Sequence, residues 1–435
     1  MSDPANITVK TKNKTLAVFI DGTWNVNENN TNVWRLYSSC APVDKQGRKQ
    51  ILYYSKGVGT SYGQIVRGGM FGFGIDTLIK DAYEWLIANY DDNRDDDKAP
   101  ATDEDVLERD RLFIFGFSRG AYAARSLAGL VARWGLPQPG SPIGVGELYA
   151  RALSGSDTTL YSLKRKGNPA DSLEEWVLRY CRPVDITMVG VWDTVGALRG
   201  AAGYRETGLR LPIKHLFQAL AIDEHRPSFA PTLWTVNRIG PAPSPAPRED
   251  AAAPPSSVPP GFKSIPLERV EQRWFCGAHA NVGGGYNSDL LPQLPLQWIM
   301  EKAGALDLAF RKAVDMRGTD QPDAVYRSPI ADSFRSMGGG VYYALKLGRP
   351  YLRPIGALPA AGDASLNVNE TIDRSVFERW RTDPAYRPPN LVAWAAMPEH
   401  RVRVEDLTAS VSAFAPNRAL GTGAEGPTLK PAAAG

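Results

Sequence analysis

The stretch "RLFIFGFSRGAYAARSLAGLVARW" (111–134) leaves the chain few architectures to choose from. An apolar run, Leu112–Phe115, ends on Gly116, and an alanine-rich amphipathic run begins at Ala121. Ser118 stands between them, with Gly116 and Gly120 two residues away on either side. A strand that becomes a helix over so few residues must turn sharply, and glycine is needed where a side chain would clash. Strands and helices joined in this way build a sheet with helices packed on its faces.

The rest of the chain repeats the alternation. "LAVFI" (16–20), "ILYYS" (51–55), "RLFIF" (111–115), "DITMVGVW" (185–192) and "VEQRWFCG" (270–277) read as buried strands. "IDTLIKDAYEWLIANY" (75–90) puts Ile75, Leu78, Ile79, Ala82, Leu86 and Tyr90 on one helical face. "KHLFQALAIDEH" (214–225) and "LPLQWIMEKAGAL" (294–306) are also predicted as helices. Short strands buried on both faces and alternating with helices predict an α/β fold, with a mostly parallel central sheet covered on both sides.

We expect one domain over residues 15–414, between a flexible N-terminus (1–14) and a flexible tail (415–435). It is interrupted by the Pro/Ala-rich stretch 240–261, which cannot form regular structure and reads as a disordered insertion. A net charge of +3 over 435 residues gives no electrostatic basis for binding nucleic acid. Three cysteines without a CxxC spacing support neither a disulfide framework nor a zinc site, so no metal is expected. The polar start and the lack of any run near 20 apolar residues predict no signal peptide and no membrane span. The expectation is a cytoplasmic protein, exported only by machinery that needs no cleavable signal.

GxSxG occurs twice, as "GTSYG" (59–63) and "GFSRG" (116–120). Ser61 lies inside a glycine-rich loop with no helix after it, whereas Ser118 has a strand before it and a helix behind it. Ser118 is therefore the candidate nucleophile. An activated serine needs a base, and the base needs an orienting acid. Of the four histidines, His215 and His225 fall in the predicted 214–225 helix, and His400 falls near the end of the organised chain. His279, in "RWFCGAHANVGGGY", follows a strand and precedes three glycines, so it is the candidate base. Asp193, in "MVGVWDTVGAL", sits at the carboxyl end of a strand, the edge where open α/β sheets collect ligands. An Asx turn or helix N-cap is the alternative for Asp193, since Thr194 and Val195 follow it; the order Ser118, Asp193, His279 favours an acid in a serine triad.

Oxyanion donors are expected from the backbone N–H groups of Arg119, directly after the serine, and of Gly22 and Thr23, directly after the first strand. "DGT" (21–23) is not an aspartyl-phosphatase motif, because Phe occupies position 19 where a second aspartate is required. "GVGTSYG" lacks the helix of a dinucleotide loop. Phe71 and Phe73, in "GMFGFG" (69–74), are candidate walls for an acyl chain.

The blocks "FIDGTWN", "GVGT", "GFSRGAYAAR", "VGVWDTVGA", "ALAIDEHRPSFAPTLW" and "WFCGAHANVGGGY" resemble, in order, the α/β-hydrolases that include type VI secretion phospholipase effectors of the first lipase class. The resemblance spans roughly residues 14–400. It implies an α/β-hydrolase fold with helical lid or cap insertions, and a triad of Ser118, Asp193 and His279. It implies hydrolysis of a phospholipid or other acyl ester through an acyl-enzyme, without cofactor. It further implies peripheral contact with membranes, export by type VI secretion, and secretion-apparatus and immunity proteins as partners. In the block at 224–226, where two basic residues are usual, this chain has Glu224, His225 and Arg226. Rival readings are a soluble carboxylesterase acting on small or polymeric esters, and a non-catalytic scaffold that binds a protein partner.

Overall fold

Thr15–Ile20 (β1) has all six residues buried, because apolar side chains alternate onto two helix-covered faces. Leu16, Val18 and Ile20 join one core and Ala17 and Phe19 the other. The computed structural model describes residues 13–22, 30–57, 74–92, 109–155, 158–196, 212–237, 265–287, 289–311, 325, 327–336, 340–357 and 365–396. The N-terminus before Asn13, the Pro/Ala stretch 240–261, the tail, Thr23, Ser61, Phe71, Phe73 and His400 lie outside the described residues.

The remaining central strands are β2 (Gln50–Ser55), β3 (Arg111–Phe117), β4 (Ile186–Trp192), β5 (Ile213–Ala221), β6 (Val270–Phe275) and β7 (Glu370–Ile372). They form one seven-stranded sheet in the order β7-β6-β5-β4-β3-β1-β2, with every neighbouring pair parallel. On one face pack α2 (Ile75–Asn89) and α3 (Arg119–Trp134), contributing Ile79, Leu86, Leu127 and Leu130. On the other pack α1 (Asn32–Ser39) and α5 (Gln293–Gly304), contributing Val33, Leu36, Leu296 and Ile299; α4 is the short helix His279–Gly283. The chain folds as an α/β-hydrolase. The order reverses between β1 and β3, so the carboxyl ends of these two strands frame the crevice where such sheets hold ligands.

One expected element is different. Residues 214–221 of the predicted helix "KHLFQALAIDEH" lie in β5, a central strand paired with β4 and β6. Leu216, Phe217 and Ala219–Ile222 are buried on both faces, so the run is apolar without a period of two. Its one interior polar side chain, Gln218, is satisfied across the sheet by Thr232 O and Gln272 Oε1, both at 3.1 Å. Pairing overrides the helix preference of Ala, Leu and Gln. Among the described residues no helix is long and apolar enough to cross a membrane.

Candidate active site

The glycines of GFSRG bring three chain segments into contact. A Cβ on Gly116 would lie 2.4 Å from Gly120 O, and one on Gly120 would lie 2.3 Å from both Ile20 O and Asp21 O. The β3–α3 turn therefore closes on itself and also against the end of β1. Ser118 occupies the apex at φ +60°, ψ −123°, a conformation that costs a non-glycine residue about 1–3 kcal/mol. Its N–H is tied to Trp192 O at 3.0 Å, which keeps the apex level with the end of β4.

Asp193 is the next residue after β4, also at positive φ (+42°), and its N–H is tied to Ala219 O at 2.7 Å. His279 opens α4, four residues after β6 ends. Three separate strand ends thus deliver the three side chains to one place. His279 Nε2 lies 2.8 Å from Ser118 Oγ, and His279 Nδ1 lies 2.5 Å from Asp193 Oδ2. With Nδ1–H donated to the carboxylate, Nε2 is the acceptor for the serine hydroxyl. The imidazole is held between two rings, Phe117 at 4.7 Å and the edge of Phe229 at 4.9 Å between centroids.

Electrostatics favour the same assignment. Burial alone would raise the Asp193 carboxyl pKa, but the Arg353 guanidinium, followed by the hydrogen bond and charge of His279, hold it well below the ordinary carboxylate range. Burial lowers the pKa of His279, opposed by its bond to Asp193 and by Glu224, and the net direction is down. At neutral pH the imidazole is the free base that a proton acceptor must be.

The other two described histidines stand apart from this geometry. His215 Nδ1 lies 3.0 Å from Glu268 O, and His225 Nδ1 lies 3.3 Å from Tyr351 O. Of the oxyanion candidates, Arg119 opens α3 beside Ser118. The Gly22 N–H is engaged by Asp21 Oδ1 at 2.7 Å, and would have to exchange that partner for a substrate oxygen. Asp21 Oδ2 also accepts from Thr31 Oγ1 (2.5 Å) and the Tyr54 hydroxyl (2.9 Å), so this buried carboxylate organises the turn after β1.

Two residues that sequence reasoning did not assign complete the site. Glu224 is fully buried and accepts the His279 N–H at 3.2 Å, Ser333 Oγ at 3.0 Å, and three N–H groups of Arg226 at 2.8 Å each. Burial works against its charge, but the bonds and charge of Arg226 overcome that and bring its pKa down to about 2. Glu224 thereby fixes the backbone from which the imidazole projects. Arg353 is also fully buried and grips Asp193 with both terminal nitrogens, Nη1 to Oδ1 at 2.6 Å and Nη2 to Oδ2 at 3.0 Å. The only signal for Glu224 was its acidic identity in a block where basic residues are usual. Arg353, in "GRPYLRPIG", carries no local pattern at all.

Residues 14–302 match the family model described as T6SS, Phospholipase effector Tle1-like, catalytic domain. Similar solved structures include the Tle1 effector bound to the VgrG spike of the type 6 secretion system, at 18% identity and TM-score 0.32, covering 63% of this chain and 52% of that one. An uncharacterized protein from Pseudomonas aeruginosa aligns at 16% identity and TM-score 0.39, covering 94% of this chain and 61% of that one. An uncharacterized protein of Saccharomyces cerevisiae is 31% identical over 125 residues, 25% of this chain and 16% of that protein. The chain thus spans about a sixth of the yeast protein's length and between half and two thirds of the two solved chains. The family match covers well over half of the 435 residues and includes all the segments that bear Ser118, Asp193 and His279. The chain belongs to the family of Tle1-like phospholipase effectors of the type VI secretion system.

Proposed function

We propose that the protein is a serine esterase that hydrolyses the acyl ester of a phospholipid. The observation that supports this most directly is the unbroken line from Ser118 Oγ through His279 to Asp193 Oδ2, with contacts of 2.8 and 2.5 Å. His279 Nε2 takes the Ser118 proton as Oγ attacks the ester carbonyl. The backbone N–H of Arg119, joined by that of Gly22 once it leaves Asp21, receives the developing oxyanion. The protonated imidazole passes its proton to the departing alcohol and leaves an acyl-serine. His279 then deprotonates a water that releases the fatty acid. Asp193 keeps Nδ1 protonated and stabilises the charged ring throughout.

Support for a lipid substrate comes from the surface beside the site. Among the described residues, six of the eight exposed large apolar side chains are Tyr286, Val341, Tyr343, Leu345, Leu347 and Leu352. Leu345 and Leu347 are 75% and 79% exposed. The 341–352 segment adjoins the site through Tyr342 and Ser228, whose hydroxyls lie 3.0 Å apart, and through the Tyr351 N–H donated to His225 O at 2.9 Å. Five exposed apolar side chains within the twelve residues 341–352 suit a surface meant to be covered, and the tails of a lipid aggregate would cover it. We extend the reading to delivery as a secreted effector, with a secretion-spike component and an immunity protein as partners.

Purified protein is expected to release fatty acid from phosphatidylethanolamine or phosphatidylglycerol vesicles in a reaction that requires Ser118. On p-nitrophenyl esters, kcat/KM should rise from acetyl to medium chains. Each buried methylene contributes about 0.8 kcal/mol, or about fourfold. Activity restricted to acetyl esters, with nothing released from vesicles, would replace the lipase with a soluble carboxylesterase.

Asp193→Asn should lower kcat by about 10⁴-fold with little change in KM, since the carboxylate acts on the imidazole and not on the substrate. It should also cost about 3 kcal/mol or more in stability, because Arg353 stays buried without its counter-ion. Steady-state kinetics and thermal melts check both parts. An unchanged melting temperature would mean the ion pair is not buried as described.

A further inference from the structure

Arg353 lies 51 residues beyond the last residue of the family match, yet it ends on the acid of the site. Its guanidinium spends two N–H groups on the two Asp193 oxygens and two more on backbone carbonyls, Ala221 O at 2.9 Å and Phe229 O at 2.6 Å. Those carbonyls belong to the end of β5 and to Phe229, the last residue of a short 3-10 helix, whose ring stands against His279. The main chain of Arg353 is itself pinned, its carbonyl accepting Asn390 Nδ2 at 3.2 Å while the same amide reaches Ile222 O at 3.0 Å.

We propose that Arg353 is a positioning residue of the catalytic centre, which locks the Asp193 carboxylate in the rotamer that His279 Nδ1 requires and sets the pH at which His279 turns into a base. The proposal rests on the triad reading above. Asp193 Oδ1 accepts from the Ala221 N–H (3.0 Å) and Arg353 Nη1; Oδ2 accepts from His279 Nδ1 and Arg353 Nη2. Rotating the carboxylate away from the imidazole would break both arms of a charged fork, an arrangement that a single ammonium cannot reproduce. Packing alone does not call for this geometry. A buried arginine needs only a counter-charge, whereas here the counter-charge is the one carboxylate bonded to the imidazole.

The fork also divides the negative charge of Asp193 between two cations, so less of it is left to stabilise an imidazolium. The charged groups around His279 are Asp193 and Glu224, which favour its protonation, and Arg226, which opposes it. Arg353 acts through Asp193, its Nη2 sharing with His279 Nδ1 the same oxygen, Oδ2. Removing its positive charge should make the imidazole more basic.

The test is the pH profile of kcat/KM for the full chain, on a soluble p-nitrophenyl ester, in Arg353→Met, Arg353→Lys and Asp193→Asn with and without Arg353→Met. Arg353→Met should move the acid limb up by about one pH unit or more, since charges at this range shift pKa values by that order. It should lower kcat on the order of 10²-fold, as a misplaced catalytic group does, with KM nearly constant. Arg353→Lys keeps the charge and loses the fork, so kcat should fall about tenfold while the acid limb stays in place. On the Asp193→Asn background Arg353→Met should cost little more, because the arginine acts only through that carboxylate. A folded Arg353→Met with the parental acid limb, and losses that multiply with Asp193→Asn, would reduce Arg353 to a packing residue and overturn the proposal. Should Arg353→Met not fold, Arg353→Lys decides, and parental kcat in that variant overturns it as well. Failure of the triad itself reads differently: Ser118→Ala would then keep its turnover whatever the Arg353 variants do.

Discussion

Ser118→Ala should lose turnover on the order of 10⁶-fold and lose all labelling by a fluorophosphonate, while its melting temperature stays within a few degrees of the parent. The two outcomes separate because the hydroxyl and the turn are held by different atoms. The turn depends on Gly116 and Gly120, whose missing side chains admit Gly120 O and the carbonyls of Ile20 and Asp21, and on the Ser118 N–H bonded to Trp192 O. Alanine keeps all of these contacts and bears the same backbone strain as serine at φ +60°. What disappears is one hydrogen bond to His279 Nε2, worth about 1 kcal/mol to stability, and the only atom in this geometry able to become an acyl-oxygen. Labelling that survives Ser118→Ala and vanishes in Ser61→Ala would move the nucleophile to the other GxSxG string. Substituting valine at Gly120 should do the reverse, destroying the fold before any chemistry can be assayed.

How much of this was legible in the sequence depends on how far apart the interacting residues lie. The strand–turn–helix at 111–134 is local, since its strand, glycines and helix periodicity all fall within a few turns of chain, and β3 and α3 appear where that pattern puts them. Asp193 could be picked out because it follows an apolar strand directly, and His279 because it stands just past a strand and before three glycines. β5 was missed because a strand buried on both faces shows no alternation, and "KHLFQALA" is written in residues that favour helix. Arg353 and Glu224 were unreadable for another reason. The site residues they hold, Asp193 and His279, stand 160 and 55 residues away in sequence, and one arginine among the 50 Lys and Arg residues of the chain has no local mark of burial. Gly22 falls between the two cases: its place after β1 was readable, but the capture of its N–H by Asp21 depends on a side-chain rotamer.

His279→Ala should also lower kcat on the order of 10⁴- to 10⁶-fold, and His225→Ala should lower it less than tenfold. Both histidines lie within the blocks that resemble the family, so residue type does not tell them apart; their contacts do. The His279 ring touches Ser118 Oγ and Asp193 Oδ2, and its removal leaves a serine without a proton acceptor and takes one of the donors to Asp193 Oδ2 away. Among the described residues the His225 ring is hydrogen-bonded to a backbone carbonyl, Tyr351 O, so truncating it loosens the strap that leads to Arg353 without removing a reacting group. Any loss in His225→Ala should therefore appear in the melting temperature as much as in kcat, while the kcat loss in His279→Ala should far exceed what its change in melting temperature accounts for. The sharper test combines positions. A base that serves only to activate one serine has nothing left to do when that serine is gone. Ser118→Ala with His279→Ala should thus be no slower than either single variant, whereas Ser118→Ala with His225→Ala should show the two effects adding in free energy. A His225→Ala loss larger than that of His279→Ala, or a Ser118/His279 pair whose losses multiply, would place the proton acceptor elsewhere and leave the 2.8 Å contact without a catalytic role.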